Sequence, residues 1–142
     1  MRPSRHPDLG ALPYRLHTNR ELGMMFRGEK PLAVFSDFDG WFPNVVERYL
    51  RLFDRHVGRG SLVRRDHWEI VPDPPKPALN RLHVVLFALP KEVWRIDDMI
   101  ALRAAMREGR WSPEHERREG ELLGYEDWQN DYWLARRAAR AP

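Results

Sequence analysis

Cysteine is absent from this chain of 142 residues. No disulfide, thiolate zinc site, thiol nucleophile or iron–sulfur cluster can form without it. Long apolar runs are missing too, so no segment has the length of a membrane span. The first ten residues carry Arg2 and Arg5 with no apolar stretch behind them, unlike a secretory leader. These absences predict a cytoplasmic protein with no membrane partner. Lysine is scarce: of 24 basic residues only Lys30, Lys76 and Lys91 are lysines. Glycine-rich phosphate loops of the Walker or Rossmann type are lacking, as is any G-x-S-x-G nucleophile setting. The six histidines form no H-E-x-x-H, H-x-H or E-x-x-H pattern, so no metal-ligand set is predicted.

What is present suits a globular chain with a core: 42% hydrophobic and 32% charged residues. The net charge is only +3, although the pI is about 9.6. An arginine-dominated basic set fits a GC-rich coding bias, or else an arginine surface for nucleic acid. The modest net charge favours the former.

Residues 1–16, with Pro3, Pro7, Gly10 and Pro13, read as an irregular arm, followed by one domain over 17–142. Thr18 and Glu21 have capping-box spacing, predicting a short helix with Leu22, Met25 and Phe26 inward and Gly28 as its stop. Residues 30–36 are apolar at their centre, as in a strand covered on both faces. Pro43 suits a first helical position. Val45, Val46, Tyr49, Leu50, Phe53 and Val57 then repeat at helical spacing up to Gly58. Residues 62–71 alternate, with Leu62, Trp68 and Ile70 on the expected inner side and Arg65, His67 and Glu69 on the outer. The proline run 72–77 is a loop. Residues 81–89 are apolar on both faces apart from His83, which predicts a central strand.

Residues 91–96 fit either a short fourth strand or the start of a helix. Asp97 reads as the N-cap of a helix ending at Gly109, and Ser112-Pro113 as the start of another. Glu114 and Arg118 have pairing distance on it. Gly124 divides it from a last helix bearing Tyr125, Trp128 and Tyr132, so the chain is helical from about 97. The expectation is an α/β or α+β fold. It has a small sheet of three to four strands, built from one βαβ-like crossover plus a hairpin, packed by helices and ending in a helical third. In it the first strand runs parallel to the second and the third antiparallel to it; the rival arrangement pairs all three antiparallel.

The sharpest motif is Phe35-Ser36-Asp37-Phe38-Asp39-Gly40, two carboxylates spaced by one residue after an apolar strand. Over about six residues it resembles the Asp-x-Asp-Gly motif of haloacid-dehalogenase-like phosphotransferases. That resemblance implies Asp37 as nucleophile, Asp39 as general acid and Mg²⁺ as cofactor. Trp41 stands where that family has Thr or Val, and no lysine or glycine-preceded acidic pair follows in matching context. A turn explains the same letters, since Asp and Gly favour turns and helix caps.

A second set is Arg65, His67 and Glu69, with His67 as acid or base oriented by Glu69. The binding candidates are Trp41, Arg65, Trp111 and Trp133, because aromatics and arginine are enriched at interfaces. The leading expectation is a binding or regulatory module that is not catalytic and needs no cofactor, joining a protein partner or a second copy of itself. The alternatives are a metal-dependent phosphohydrolase-like or acid–base enzyme at Asp37/Asp39 or His67/Glu69, and nucleic-acid binding through the arm, Arg64–Arg65 and the basic C-terminus.

Overall fold

The computed structural model describes residues 12–140. Eight main elements follow in order: α1 (Glu21–Phe26), β1 (Leu32–Phe38), α2 (Asn44–Gly58), β2 (Val63–Ile70), β3 (Arg81–Ala88), α3 (Trp94–Arg107), α4 (Pro113–Leu123) and α5 (Asp127–Arg140). The fold is α+β. Its sheet has three strands in the order β1-β3-β2, and both ladders are antiparallel. β1 and β2 therefore run in the same direction with β3 between them. The two sequence alternatives merge: α2 is a crossover between parallel-directed strands, yet every hydrogen-bonded pair is antiparallel.

β3 takes the centre because both of its faces are apolar. Val84, Leu86 and Ala88 join Leu32 of β1, Ile96, Met99 and Leu102 of α3, and Leu122 of α4 in one core. Val85 and Phe87 join Ala33, Met25 of α1, Leu50 and Phe53 of α2, and Leu62 in the other. The sheet is thus sandwiched, with α1 and α2 on one side and α3 and α4 on the other. Phe53 stacks on Phe87 with ring centroids 4.5 Å apart. Burial of a side chain of this size stabilises by roughly 1.5–3 kcal/mol. α5 packs outside α4, where Arg117 pairs with Asp131 at 2.6 Å.

The helix punctuation follows local chemistry. Ser112 Oγ accepts from the His115 amide at 3.2 Å, and Pro113 opens α4. Gly124, at φ 93°, ends it. An added Cβ there would lie 2.5 Å from Pro31 Cδ, so close approach also demands glycine. Residues 90–92 form a single 3-10 turn, and α3 starts at Trp94, so there is no fourth strand among the described residues. Asp97 sits in the first turn of α3 rather than at its N-cap, which is Val93. Arg118 pairs with Asp98 and Glu121 in place of Glu114.

Three other expectations change. The capping box of Thr18 does not form; Arg20 is the N-cap of α1. Met24 and Met25 are buried there while Phe26 is exposed against His56. Around β2 Leu62 is buried as expected, but Trp68 and Ile70 are exposed, while Glu69 is buried beneath α3. The expected arm is named here only in its last residues, 12–16, which are neither helix nor strand; residues 1–11 lie outside the described residues. No described helix is long and apolar enough to cross a membrane.

Lys30 lies just before β1 and is 2% exposed. Its Nζ donates to Leu123 O at 2.7 Å and lies 2.8 Å from His17 Nδ1. The His17 ring stacks on Tyr125 at 3.7 Å. Arg95 Nη1 donates to Glu121 O at 2.9 Å. Two cations thus meet the carbonyl end of α4, where the helix dipole favours them. Burial lowers the Lys30 amine to about 7. Burial, followed by the Lys30 charge, lowers His17 to about 4.

Candidate functional site

The acidic motif ends β1 at the open rim of the sheet. β1 runs through Phe38, so Asp37 is inside the strand, opposite His83. Asp37 Oδ1 accepts from the Phe38 amide at 2.7 Å. Asp39 follows the strand, and its amide donates to Arg81 O at 3.0 Å. Gly40, at φ 81°, and the bond from Trp41 N to Phe38 O close the turn. The Asp39 carboxylate accepts from Arg81 Nε at 2.7 Å and from Trp68 Nε1 at 3.4 Å. The Arg81 hydrogen bond holds that carboxyl below its usual range against a smaller effect of burial.

His83 is the hub of this corner. Its Nε2 lies 2.7 Å from Asp66 Oδ2 and its Nδ1 4.0 Å from Asp39 Oδ1. The ring stacks on Trp68, with centroids 4.8 Å apart and planes 8° off parallel, and meets the edge of Phe42. Asp66 is also held by Arg64 Nε at 2.8 Å, and Arg64 Nη1 reaches both oxygens of Asp54 at 2.9 Å. The Arg64 hydrogen bond, opposed by burial and aided by His83, lowers the Asp66 carboxyl. Hydrogen bonds therefore run from Asp54 through Arg64 and Asp66 to His83, and a separate pair, Asp39 and Arg81, stands beside the His83 ring.

A general acid or base needs one ring nitrogen directed at its substrate; His83 Nε2 is engaged by Asp66, while Nδ1 stands beyond hydrogen-bonding distance of Asp39. Ser36, the nearest hydroxyl in β1, belongs to the opposite face of the sheet, as its pairing with Val84 requires. Among the described residues, no three His, Asp or Glu side chains gather in a way that could hold a metal ion.

The second candidate set faces the other way. Glu69 is 2% exposed. It accepts from Arg103 Nε at 2.8 Å and Nη2 at 2.9 Å, and Arg107 Nη1 lies at 2.5 Å. Burial raises the Glu69 carboxyl, but the Arg103 bonds and the two guanidinium charges outweigh it, so it stays below the ordinary value. Glu69 is thus committed to α3 and does not orient His67. Arg65 pairs with Asp97. Asp37 and His67 lie on opposite faces of the sheet, since their partners in β3 are His83 and Val84.

The candidates therefore fall in three places. Asp37, Asp39 and Trp41 share the corner, with Trp41 60% exposed. Arg65, His67 and Glu69 share the α3 side. Trp111 and Trp133 belong to the α4–α5 region. Trp111 is exposed beneath the Arg137 guanidinium at 4.6 Å, and Trp133 is half-buried with Nε1 donating to Glu116 at 2.7 Å. Sequence reasoning passed over Asp66, Trp68, Arg81 and His83 as corner residues. Its one available signal was His83, the polar side chain that interrupts the apolar run of residues 82–88 in β3.

Compared with family models, with curated proteins and with solved structures, the chain finds no match.

Proposed function

We propose that this protein is a non-catalytic association module that joins a second copy of itself along the outer edge of β2. The carrying observation is Ile70, 81% exposed at the end of that strand beside Trp68, 45% exposed. β2 pairs with β3 on one side and with no strand on the other among the described residues. β1 is the other edge, and α4 packs against it. An open edge carrying large apolar side chains templates further pairing.

A copy of the same strand is the occupant we argue for, because it brings the same exposed apolar pair, Trp68 and Ile70, to the shared edge, while the Arg65–Asp97 and Glu69–Arg103 pairs stay within each copy. The enzyme reading is weakened because His83 Nε2 is taken up by Asp66 and Glu69 is taken up by Arg103. The nucleic-acid reading is weakened because Arg64 and Arg65 are both neutralised by aspartates within the fold.

Sedimentation equilibrium of the wild type and of Ile70→Lys tests this. The expected result is a dimer for the wild type and a monomer of unchanged circular dichroism for the variant. A wild type that stays monomeric to its solubility limit refutes the proposal. So does a dimer that survives Ile70→Lys.

A further inference from the structure

α4 and α5 do not fill the space between them. Gly120 lets Asn130 press against the α4 backbone, where a Cβ would collide with the Asn130 amide. Next to that contact, a cavity of about 220 Å³ opens between the two helices and residues 14–16. Its walls include Tyr14, Leu16, Leu123, Tyr125 and Trp133. Tyr14 meets Tyr125 edge-on at 6.1 Å and Trp128 at 5.5 Å, which holds the wall in place.

Two carboxylates line the same space, Glu116 and Glu119. Glu116 Oε1 accepts from Trp133 Nε1 at 2.7 Å and from Arg137 Nη1 at 3.1 Å. Its Oε2 is buried and has no partner. Glu119 is half-buried and makes no hydrogen bond or ion pair among the described residues. Burial raises the Glu119 carboxyl, Arg103 lowers it, and the neighbouring Glu116 raises it again. Buried polar groups are normally partnered, and an unpaired one is costly. Among the described residues Arg137 is the one guanidinium bonded to this acidic pair, so Glu119 has no bonded counter-charge. Lys30 does not supply it, because its Nζ donates to Leu123 O and lies against His17.

We propose that this cavity binds a small organic ammonium ion, with Glu119 as its counter-ion and the Tyr14, Tyr125 and Trp133 rings as its walls. A carboxylate beside electron-rich rings is the chemistry that recognises alkylated ammonium groups. A hydrated metal ion requires more oxygen ligands than are present, and an anion would meet two carboxylates. The volume lies below the roughly 300 Å³ of the smallest drug-sized sites, which limits the guest to a few carbon atoms. This site is separate from the β2 edge and does not depend on association.

Choline and n-butylamine are the probes, and 3,3-dimethylbutan-1-ol is the uncharged isostere of choline. Binding is followed by tryptophan fluorescence and by the amide shifts of Gly120 and Asn130. The expected result is a saturable response to at least one ammonium probe. It should weaken about tenfold or more for the neutral alcohol and in Glu119→Gln. No saturable response to either ammonium probe overturns the proposal. Equal binding of choline and the alcohol overturns it on the wild type alone, whatever the folding of the variant. An unchanged response in folded Glu119→Gln overturns the role of Glu119.

Discussion

Lys30 makes the folded state sensitive to pH in a window that few proteins use. Its amine falls from 10.5 to about 7 because it is buried. The unfolded chain therefore holds a proton that the folded chain sheds, so stability from this group is complete above pH 10.5 and is lost as pH falls to 7. The full span corresponds to about 5 kcal/mol, at about 1.4 kcal/mol per pH unit. Between pH 7 and 9 the group changes stability by about 2 kcal/mol, with the higher value at pH 9. Lys30→Met keeps an unbranched side chain, one atom shorter, and removes the titration. Urea melts of both proteins at pH 7 and pH 9 isolate the effect, since other groups cancel in the difference. Stopping at pH 9 also stays below the ionisation of Tyr14, Tyr49 and Tyr125, whose hydroxyls burial pushes above 10. The wild type should gain about 2 kcal/mol relative to Lys30→Met over this range. Parallel behaviour of the two proteins would show that the amine is solvated in the fold, and the reasoning would fail. His17, lowered from 6.5 to about 4, acts with the same sign in a separate acidic window.

Glu69→Ala should lower unfolding free energy by about 3 kcal/mol, because Arg103 and Arg107 would lose a buried counter-charge. A loss below about 1 kcal/mol in urea titration would mark the pair as effectively solvated. Gly124→Ala should cost about 2 kcal/mol or more, combining positive φ with a collision against Pro31. Gly60→Ala is its internal control: Gly60 has φ 78° but open space around it, so only the backbone strain of about 1 kcal/mol applies. Equal thermal shifts for the two variants would remove the packing argument.

The parts of the fold that depend on local chemistry were legible in the sequence. α2 follows from the spacing of Val46, Tyr49, Leu50, Phe53 and Val57, which pack on the sheet, whereas Val45, counted in the same stripe, is exposed. Ser112, Pro113 and Gly124 mark the two ends of α4 through caps and a positive φ. The double apolar face of residues 84–88 announced the central strand. β2 was misread because alternation separates two faces without saying which is covered. Trp68 and Ile70 are the more apolar, yet the charged face is the one beneath α3, where arginines arriving from 34 and 38 residues away compensate Glu69. The corner was half legible for the same reason. Asp37 to Gly40 announce a bend, whereas Arg64, Asp66, Trp68, Arg81 and His83 reach it only through strand register. Nothing short-range links Glu116 or Glu119 to Tyr14, so the cavity had no local sequence signature.

The strand order has a consequence for how the chain is made. Among the described residues β1 and β2 both pair only with β3, which is the last of the three strands to leave the ribosome. Through residue 80 the nascent chain owns two strands and no ladder, with Phe35 and Phe53 already synthesised and Phe87 still to come. The whole sheet must then assemble around a late arrival, by non-local contacts that close slowly. A ribosome pause before residue 88 would leave both strands unpaired, the state in which such segments aggregate.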